Sequence, residues 1–392
     1  MSKKTPLPRA HPLSSGITIR DPVHGPIEFT PVEQRLLDSP DFQRLRGIKQ
    51  LAMAHLVYPG AHHTRFEHSI GTLHLADAMA SRLRLSEDER ARLRLSALLH
   101  DVGHIAFSHE AEEVTAPRLG DHEKMGAQRI RSSPLCDIIS ESDDPKTVAA
   151  WATGASYGQL ITSDVGADRI DYLLRDAHYT GVAYGVVDWA RIIGTLSWDR
   201  AGPALEAGGL EAAESLVLAR FAMFHTVYFH HAVRIARAML QQGLRAALAD
   251  SKFDWKAAVG DGDTLMLQRL RAVAAAQPWA EALIERRLYK RAAVIPWKDV
   301  RPAAQQAVRS GKLAQELSAA ANGPVILDPP GRFVSGTTLR ILTAEGPQPL
   351  GSLSPLVASL QSAADARANL LVCCPPQRLA AVSRAAAQAL ES

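Results

Sequence analysis

From about residue 31 to residue 248 the chain places apolar residues at helical spacing, interrupted by capping residues, prolines and glycine-rich stretches. Stripes of this kind are buried only by packing helix against helix, so the pattern predicts a mainly α fold. Pro31 opens a first helical segment, and Ser39-Pro40 restarts a helix, with Phe42, Leu45, Ile48 and Leu51 following at intervals of three. Residues 67–83 and 87–100 are amphipathic, the second opened by Ser86 as N-cap. Residues 160–178, 188–196 and 212–248 continue the helical series, with glycine-rich 201–209 separating the last two. Ahead of them, residues 17–20 and 27–29 flank a turn-like Asp21-Pro22-Val23-His24-Gly25-Pro26, which predicts a small hairpin. Past about residue 300 the texture changes, and 325–327, 339–342 and 370–373 read as short strands between helical segments. The expected organisation is a flexible N-terminus over 1–16, a helical core over 17–300 and a small α/β appendage over 301–392.

The 392 residues are ample for a large core. Lys and Arg number 44 against 41 Asp and Glu, a balance too mild to require a nucleic-acid partner, though it leaves one open. Cys136, Cys373 and Cys374 have no zinc-ribbon spacing, and adjacent cysteines do not readily pair, which points to a reducing, cytoplasmic compartment. Met1-Ser2-Lys3-Lys4-Thr5-Pro6 lacks the apolar stretch of a signal peptide, and no apolar run reaches the length of a membrane span. A soluble protein with no membrane partner is expected.

Chemistry concentrates in Leu98-Leu99-His100-Asp101-Val102-Gly103-His104, with Thr64-Arg65-Phe66-Glu67-His68 upstream and Asp168-Arg169-Ile170-Asp171-Tyr172 downstream. An imidazole beside a carboxylate at the end of an apolar helical stretch lets two consecutive side chains grip one ion. A distant His and Asp fill two further positions and leave others open for water and phosphate oxygens. Any one of these histidines alone reads as a hydrogen-bonded core residue; the set reads as a metal site for phosphate-ester hydrolysis.

Arg65-Phe66-Glu67-His68-Ser69-Ile70-Gly71, the stretch His100 to Glu112, His122-Glu123 and the stretch Asp168 to Asp176 stand in the order found in HD-domain phosphohydrolases, which the chain resembles. The likeness is to the deoxynucleoside triphosphate triphosphohydrolase branch, whose pattern also covers Asp21-Pro22-Val23-His24-Gly25 and the stretch Phe42 to Leu51. The sterile-alpha-motif domain of the vertebrate members has no counterpart. The resemblance implies an HD-domain helical core and His68, His100, Asp101 and Asp168 as metal ligands. Mixed imidazole and carboxylate ligation suits Mn, Fe, Co, Ni or Zn, with Mg able to bridge from phosphate.

His109 would protonate a departing alkoxide, with Glu112, three residues on, accepting from its ring. His104 and His122 would hold phosphate oxygens, as would Arg65 and Arg169. Tyr172 and Asp176, one turn apart, stand where the branch reads the sugar, and Gln50 and Leu51 match its residues at the 3′-hydroxyl and the 2′-carbon. Asp38, Gln43 and Arg46 match a regulatory nucleotide site, which implies nucleotide activation and a homo-oligomer. Two positions depart from the vertebrate pattern: its phosphate-contacting Arg falls on Val227 and its base-stacking Tyr on Ile235, leaving Tyr228, His231 or Arg234 to supply those contacts. The expected activity is hydrolysis of deoxynucleoside triphosphates to deoxynucleoside and tripolyphosphate. The alternatives are an HD-type nucleotide phosphatase, phosphodiesterase or 3′-5′ nuclease and, from another class, a non-catalytic nucleotide sensor.

Overall fold

The computed structural model describes residues 16–331 and 338–391. The lead-in expected over 1–16 lies outside them except for Gly16. β1 (Ile17–Asp21) and β2 (Gly25–Phe29) form the expected hairpin, paired from Ile17–Phe29 to Asp21–Gly25. Thr30 then caps the helix Pro31–Leu37: its hydroxyl accepts from the Glu33 N–H, and the Glu33 carboxylate takes the Thr30 N–H at 2.8 Å. The same buried carboxylate receives two 2.7 Å bonds from Arg94, whose guanidinium also reaches the Glu28 carbonyl. Hairpin, first helix and the helix Glu87–Leu99 are thereby tied together.

The apolar interval of three after Ser39 takes the form of one turn, Pro40–Gln43, followed by 3₁₀ turns at Arg44–Gly47 and Ala52–Leu56. Three is the 3₁₀ period, and Phe42, Leu45 and Ile48 are all fully buried by it. Helices Arg65–Leu83 and Glu87–Leu99 pack against each other, and Leu73, Ala76, Leu93 and Leu98 of the two belong to the same buried core. Burial of each such leucine is worth about 1.5–3 kcal/mol. Both helices start at a capping box, Thr64 with Glu67 and Ser86 with Glu89.

Three expected helices are broken. Residues 160–178 divide into a short turn, Gln159–Thr162, and the helix Ala167–Thr180, which puts Asp168 in a first turn. Residues 188–196 hold a helix over Trp189–Gly194, after which Leu196 begins a strand. Residues 212–248 divide into Leu210–Met223, a wide π-turn at Phe224–Tyr228 and His231–Ala249. The rings of Phe224, Tyr228 and Phe229 pack edge to face across that turn.

The glycine-rich separator is itself a strand. β3 (Leu196–Asp199) and β4 (Gly202–Glu206) pair antiparallel, and β5 (Lys290–Pro296) follows later. The short strands expected near the end are β6 (Ile326–Asp328), β7 (Arg340–Thr343) and β9 (Asn369–Cys374), joined by β8 (Gly346–Pro349). They form sheets in the orders β3-β4-β7-β8 and β5-β9-β6. A boundary at residue 300 therefore passes through both sheets, because β4 and β5 lie before it and their partners β7 and β9 after it. In β9, Leu371 and Cys373 face the core built around the helix His231–Ala249, whereas Leu370, Val372 and Cys374 face the C-terminal helices. Ile341, Val357 and Leu360 join the main core directly. No helix among the described residues is long and apolar enough to cross a membrane.

A chain ended at residue 300 would strip β5 of β9 and open the main core. It is expected to elute as aggregate in size-exclusion chromatography and to melt without a cooperative transition; a monodisperse, cooperatively melting fragment would contradict this architecture.

Candidate metal centre

His68 lies in the first turn of the helix Arg65–Leu83, His100 caps the end of Glu87–Leu99, and Asp168 opens Ala167–Thr180. Three helix ends thus bring ligand atoms of His68, His100 and Asp168 within 4.8 Å of one another. His68 Nε2 is 3.0 Å and His100 Nε2 3.8 Å from Asp168 Oδ1. Asp101 flanks the group, with one oxygen 3.6 Å from His68 Nε2 and the other 3.4 Å from His100 Nε2. Both Nε2 atoms are buried and make no hydrogen bond among the described residues, whereas both Nδ1 atoms are engaged: His68 Nδ1 with Asp171 at 2.7 Å and His100 Nδ1 with the Ala97 carbonyl at 2.8 Å. An Nδ1–H tied from behind leaves the Nε2 lone pair aimed forward, the arrangement found in metal-ligating histidines. Electrostatics agrees. Burial opposes a charge on His68, yet Asp168, Asp171 and Asp101 outweigh it and push its imidazole up to about 10. A site that draws a proton this strongly has an unmet demand for positive charge, which a divalent cation satisfies.

Beneath His68, His100 and Asp168 lies a layer whose role sequence spacing alone does not show. Asp171 is fully buried and accepts from His68, from His24 Nε2 at 2.6 Å and from Arg175 at 2.9 Å. Arg175, also buried, bonds Asp21 Oδ2 at 2.8 Å. Its guanidinium and the two histidines hold Asp171 well below the usual carboxylate range despite burial. Gly71 makes room: a Cβ there would stand 1.9 Å from Asp171 Oδ1 and 2.3 Å from Arg175 Nη2. The available signal was the four-residue spacing of Asp171 and Arg175 together with the Asp21-Pro22-Val23-His24 turn.

A second group sits beside the first. His104, His109, Glu112 and His122 also bring ligand atoms within 4.8 Å. However, the His104 and His122 rings lie parallel, 4.1 Å apart and 7° between planes, so their lone pairs run side by side and do not converge on one ion. The arrangement suits an anion instead. Glu112 does not hold His109 as expected; its Oε2 takes both the Nδ1–H and the backbone N–H of His122, each at 2.8 Å. The exposed N–H at the start of the helix His122–Ser132 makes that the better partner. Burial works against a charge on His122, but the Glu112 bond outweighs it and raises its pKa. Burial, then Arg65 and His122, lower His109 to about 4, although its ring reaches solvent. Arg65 bonds Asp101 Oδ2 at 2.6 Å and Ser108 Oγ at 3.0 Å.

A cavity of about 410 Å³ opens onto both groups, lined among others by Arg65, His109, Asp168, Gln50, Leu51, Tyr172 and Asp176. Among the described residues, Gln50 Oε1 is buried there without a partner. Asp176 accepts from His63 at 2.8 Å and from the Tyr228 hydroxyl at 2.5 Å. Of the three substitutes weighed for Val227 and Ile235, only Tyr228 lines this cavity. Arg234 is clamped to Asp328 at 2.6 Å, and His231 opens onto other clefts. Val227 and Ile235 are buried in the core. Arg169 is held by Asp164, itself bonded by Thr338. Away from the cavity, Asp38 ends the helix Pro31–Leu37, and Arg46 bonds Gln43 at 3.0 Å while its guanidinium lies 3.5 Å over the Phe66 ring.

The family model for the HD domain matches residues 65–176, and the model for the HD associated region matches 187–391, over half the chain. The chain belongs to the HD-domain phosphohydrolase family. An uncharacterised protein of Methanocaldococcus jannaschii is 36% identical over 288 residues, 72% of this chain and 61% of that protein. The human deoxynucleoside triphosphate triphosphohydrolase SAMHD1 is 45% identical over 208 residues, 42% of this chain and 33% of that protein. A crystal structure of a hypothetical protein from Aquifex aeolicus has a TM-score of 0.80 at 28% identity, covering 94% of this chain and 99% of that one. This HD-domain chain thus spans less than two thirds of either curated relative.

Two outcomes follow from the layers around the site. Asp171→Ala frees His68 to rotate and is expected to weaken metal affinity by about 10–100-fold in a chelator competition titration. Gly71→Ala should do the same by displacing Asp171, and unchanged affinity in both variants would refute the role given to this layer. His122, with its pKa raised in the fold, adds stability that is complete below the ordinary imidazole value of about 6.5 and is lost as pH rises through the folded value. Glu112→Gln should lower the His122 midpoint in an NMR titration and flatten that stretch of the stability profile; an unmoved midpoint would contradict the pairing.

Proposed function

We propose that the protein hydrolyses deoxynucleoside triphosphates to deoxynucleoside and tripolyphosphate. The observation that carries this reading is the cavity that joins the cation-seeking group to a Gln50 oxygen unpartnered among the described residues, with Leu51, Tyr172 and Asp176 on the same walls. The likeness to SAMHD1 over the same stretch supports it. A divalent transition metal held by His68, His100, Asp101 and Asp168, with Mg accompanying the phosphates, would polarise the α-phosphoryl group and supply a water of lowered pKa.

The remaining chemistry belongs to the chain. Arg65, His104, His122 and Arg169 offset charge that builds on the phosphates, from positions set before substrate arrives. His109 gives a proton to the 5′-oxygen as its bond to phosphorus breaks; a triphosphate beside the ring favours the imidazolium that burial and Arg65 disfavour. Gln50 accepts from the 3′-hydroxyl, and Leu51 packs against the 2′-carbon, where a ribose hydroxyl would clash. Tyr172 and Asp176 complete the sugar site, and Phe224, Tyr228 and Phe229 form the aromatic wall left for a base. We extend the proposal to a homo-oligomer with a regulatory nucleotide at Asp38, Gln43 and Arg46.

Metal analysis followed by incubation with each dNTP, rNTP, dNMP and single-stranded DNA tests the reading, with the released phosphate species identified. Tripolyphosphate from dNTPs is expected. Orthophosphate or mononucleotides would replace the reading with a phosphatase or nuclease, and binding without turnover would replace it with a sensor. Asp101→Ala should abolish metal and turnover together, and His109→Gln should cost about 10²–10⁴-fold in kcat with metal retained. Rates and sedimentation unchanged by added GTP would refute the regulatory extension.

A further inference from the structure

Asp263 lies outside every motif of the metal centre, in the first turn of the helix Asp263–Arg271, and its side chain is buried. Each of its carboxylate oxygens takes a different backbone amide. Oδ1 accepts from Phe107 N–H at 2.8 Å and Oδ2 from Lys49 N–H at 3.0 Å, with the Lys49 ammonium 3.6 Å from Oδ2. These amides belong to two walls of the cavity, since Lys49 precedes Gln50 and Leu51, and Phe107 precedes Ser108 and His109.

Phe107 and Ser108 are both left-handed, with φ of 64° and 51°. Two consecutive residues with side chains hold that conformation only when their surroundings impose it. The strained pair leads straight into His109, and Ser108 Oγ accepts from Arg65. Access for Asp263 depends on backbone meeting backbone: a Cβ on Gly262 would lie 2.7 Å from the Gly47 carbonyl oxygen and 3.0 Å from its Cα. The corner at 262–263 therefore plugs into a groove between the two walls and clasps both.

We infer that Asp263 is a positioning residue for hydrolysis: by holding the Phe107 and Lys49 amides on one carboxylate, it sets the His109 turn at a fixed distance from the Gln50–Leu51 wall. A substrate seated on that wall then presents its leaving oxygen to the proton on His109. The inference rests on the role of His109 given under the proposed function. Asparagine has one acceptor oxygen and an NH₂ in place of the other, so Asp263→Asn keeps one clasp at most.

The test compares dTTP with its analogue carrying sulfur as the bridging 5′-atom, using full-length, metal-loaded protein. In both, water attacks the α-phosphorus and the bond to the 5′-atom breaks; the oxygen leaves with a proton from His109, whereas the thiolate leaves without one. D263N is expected to lose at least tenfold more kcat on dTTP than on the analogue, with wild-type metal content. Gly262→Ala, which displaces Asp263 with its charge intact, should show the same selectivity. Equal loss on both substrates, or loss on neither, overturns the inference. A crystal structure of D263N provides a readout independent of substrate. Phe107 and Ser108 are expected to leave the left-handed region and His109 to shift by more than about 1 Å, the scale on which misplacement costs rate; an unchanged turn overturns the inference even if the wild type releases no tripolyphosphate, a result that by itself would sink only the substrate reading.

Discussion

The bond between His68 Nδ1 and Asp171 is the contact on which the centre depends, because it decides which nitrogen of a fully buried ring faces Asp101 and Asp168. Asp171 could not stay charged at that depth alone. Arg175 lies against it and against Asp21, and His24 closes the remaining side, so that two carboxylates, one guanidinium and two imidazoles share a nearly water-free space. Removing one partner from such a set strands a charge and costs about 3–5 kcal/mol, whereas the intact set contributes orientation more than net stability. The hairpin at residues 17–29 is therefore part of the centre: its turn delivers Asp21 and His24 beneath a ligand carried by another element.

Above that layer the site divides by sign. His68, His100 and Asp168 surround a point that favours a cation, while Arg65, His104 and His122 form a surface that favours an anion. Asp101 stands on the boundary, with Arg65 on one oxygen and His104 3.3 Å from the other. A metal and a phosphate need that adjacency. It is held from outside by Arg44, which binds the carbonyls of Val102 and His104, and by Asp263 at Phe107. Asp263 comes from the region that follows the HD domain, so the later half of the chain helps set the geometry of the earlier half.

Local signals survived the passage from sequence to structure well. The hairpin, the caps at Ser39 and Ser86, the helix ends that carry His68 and His100, and three C-terminal strands all follow from spacing and capping chemistry. Long-range pairing was less visible. Nothing within residues 201–209 announces a strand, because β4 owes its existence to β3 and to β7, far along the chain. Helical spacing pairs Glu112 with His109, but the N–H at the start of the helix His122–Ser132 takes that carboxylate. Asp171 and Arg175 lie within the stretch Asp168 to Asp176, where spacing alone does not show what they hold, and Asp263 lies in no motif; only the fold brings them under or beside the residues they hold.

As proposed above, two imidazoles and carboxylate oxygen, at His68, His100, Asp101 and Asp168, hold the cation, and the neighbouring histidine group does not. X-ray absorption at the edge of the bound metal tests it most directly. The expected result is a first shell of two imidazole nitrogens with oxygens making up the rest, unchanged when His122 is replaced by Ala. A shell with three imidazoles, or one that loses an imidazole in that variant, would place the metal among His104, His109 and His122 instead.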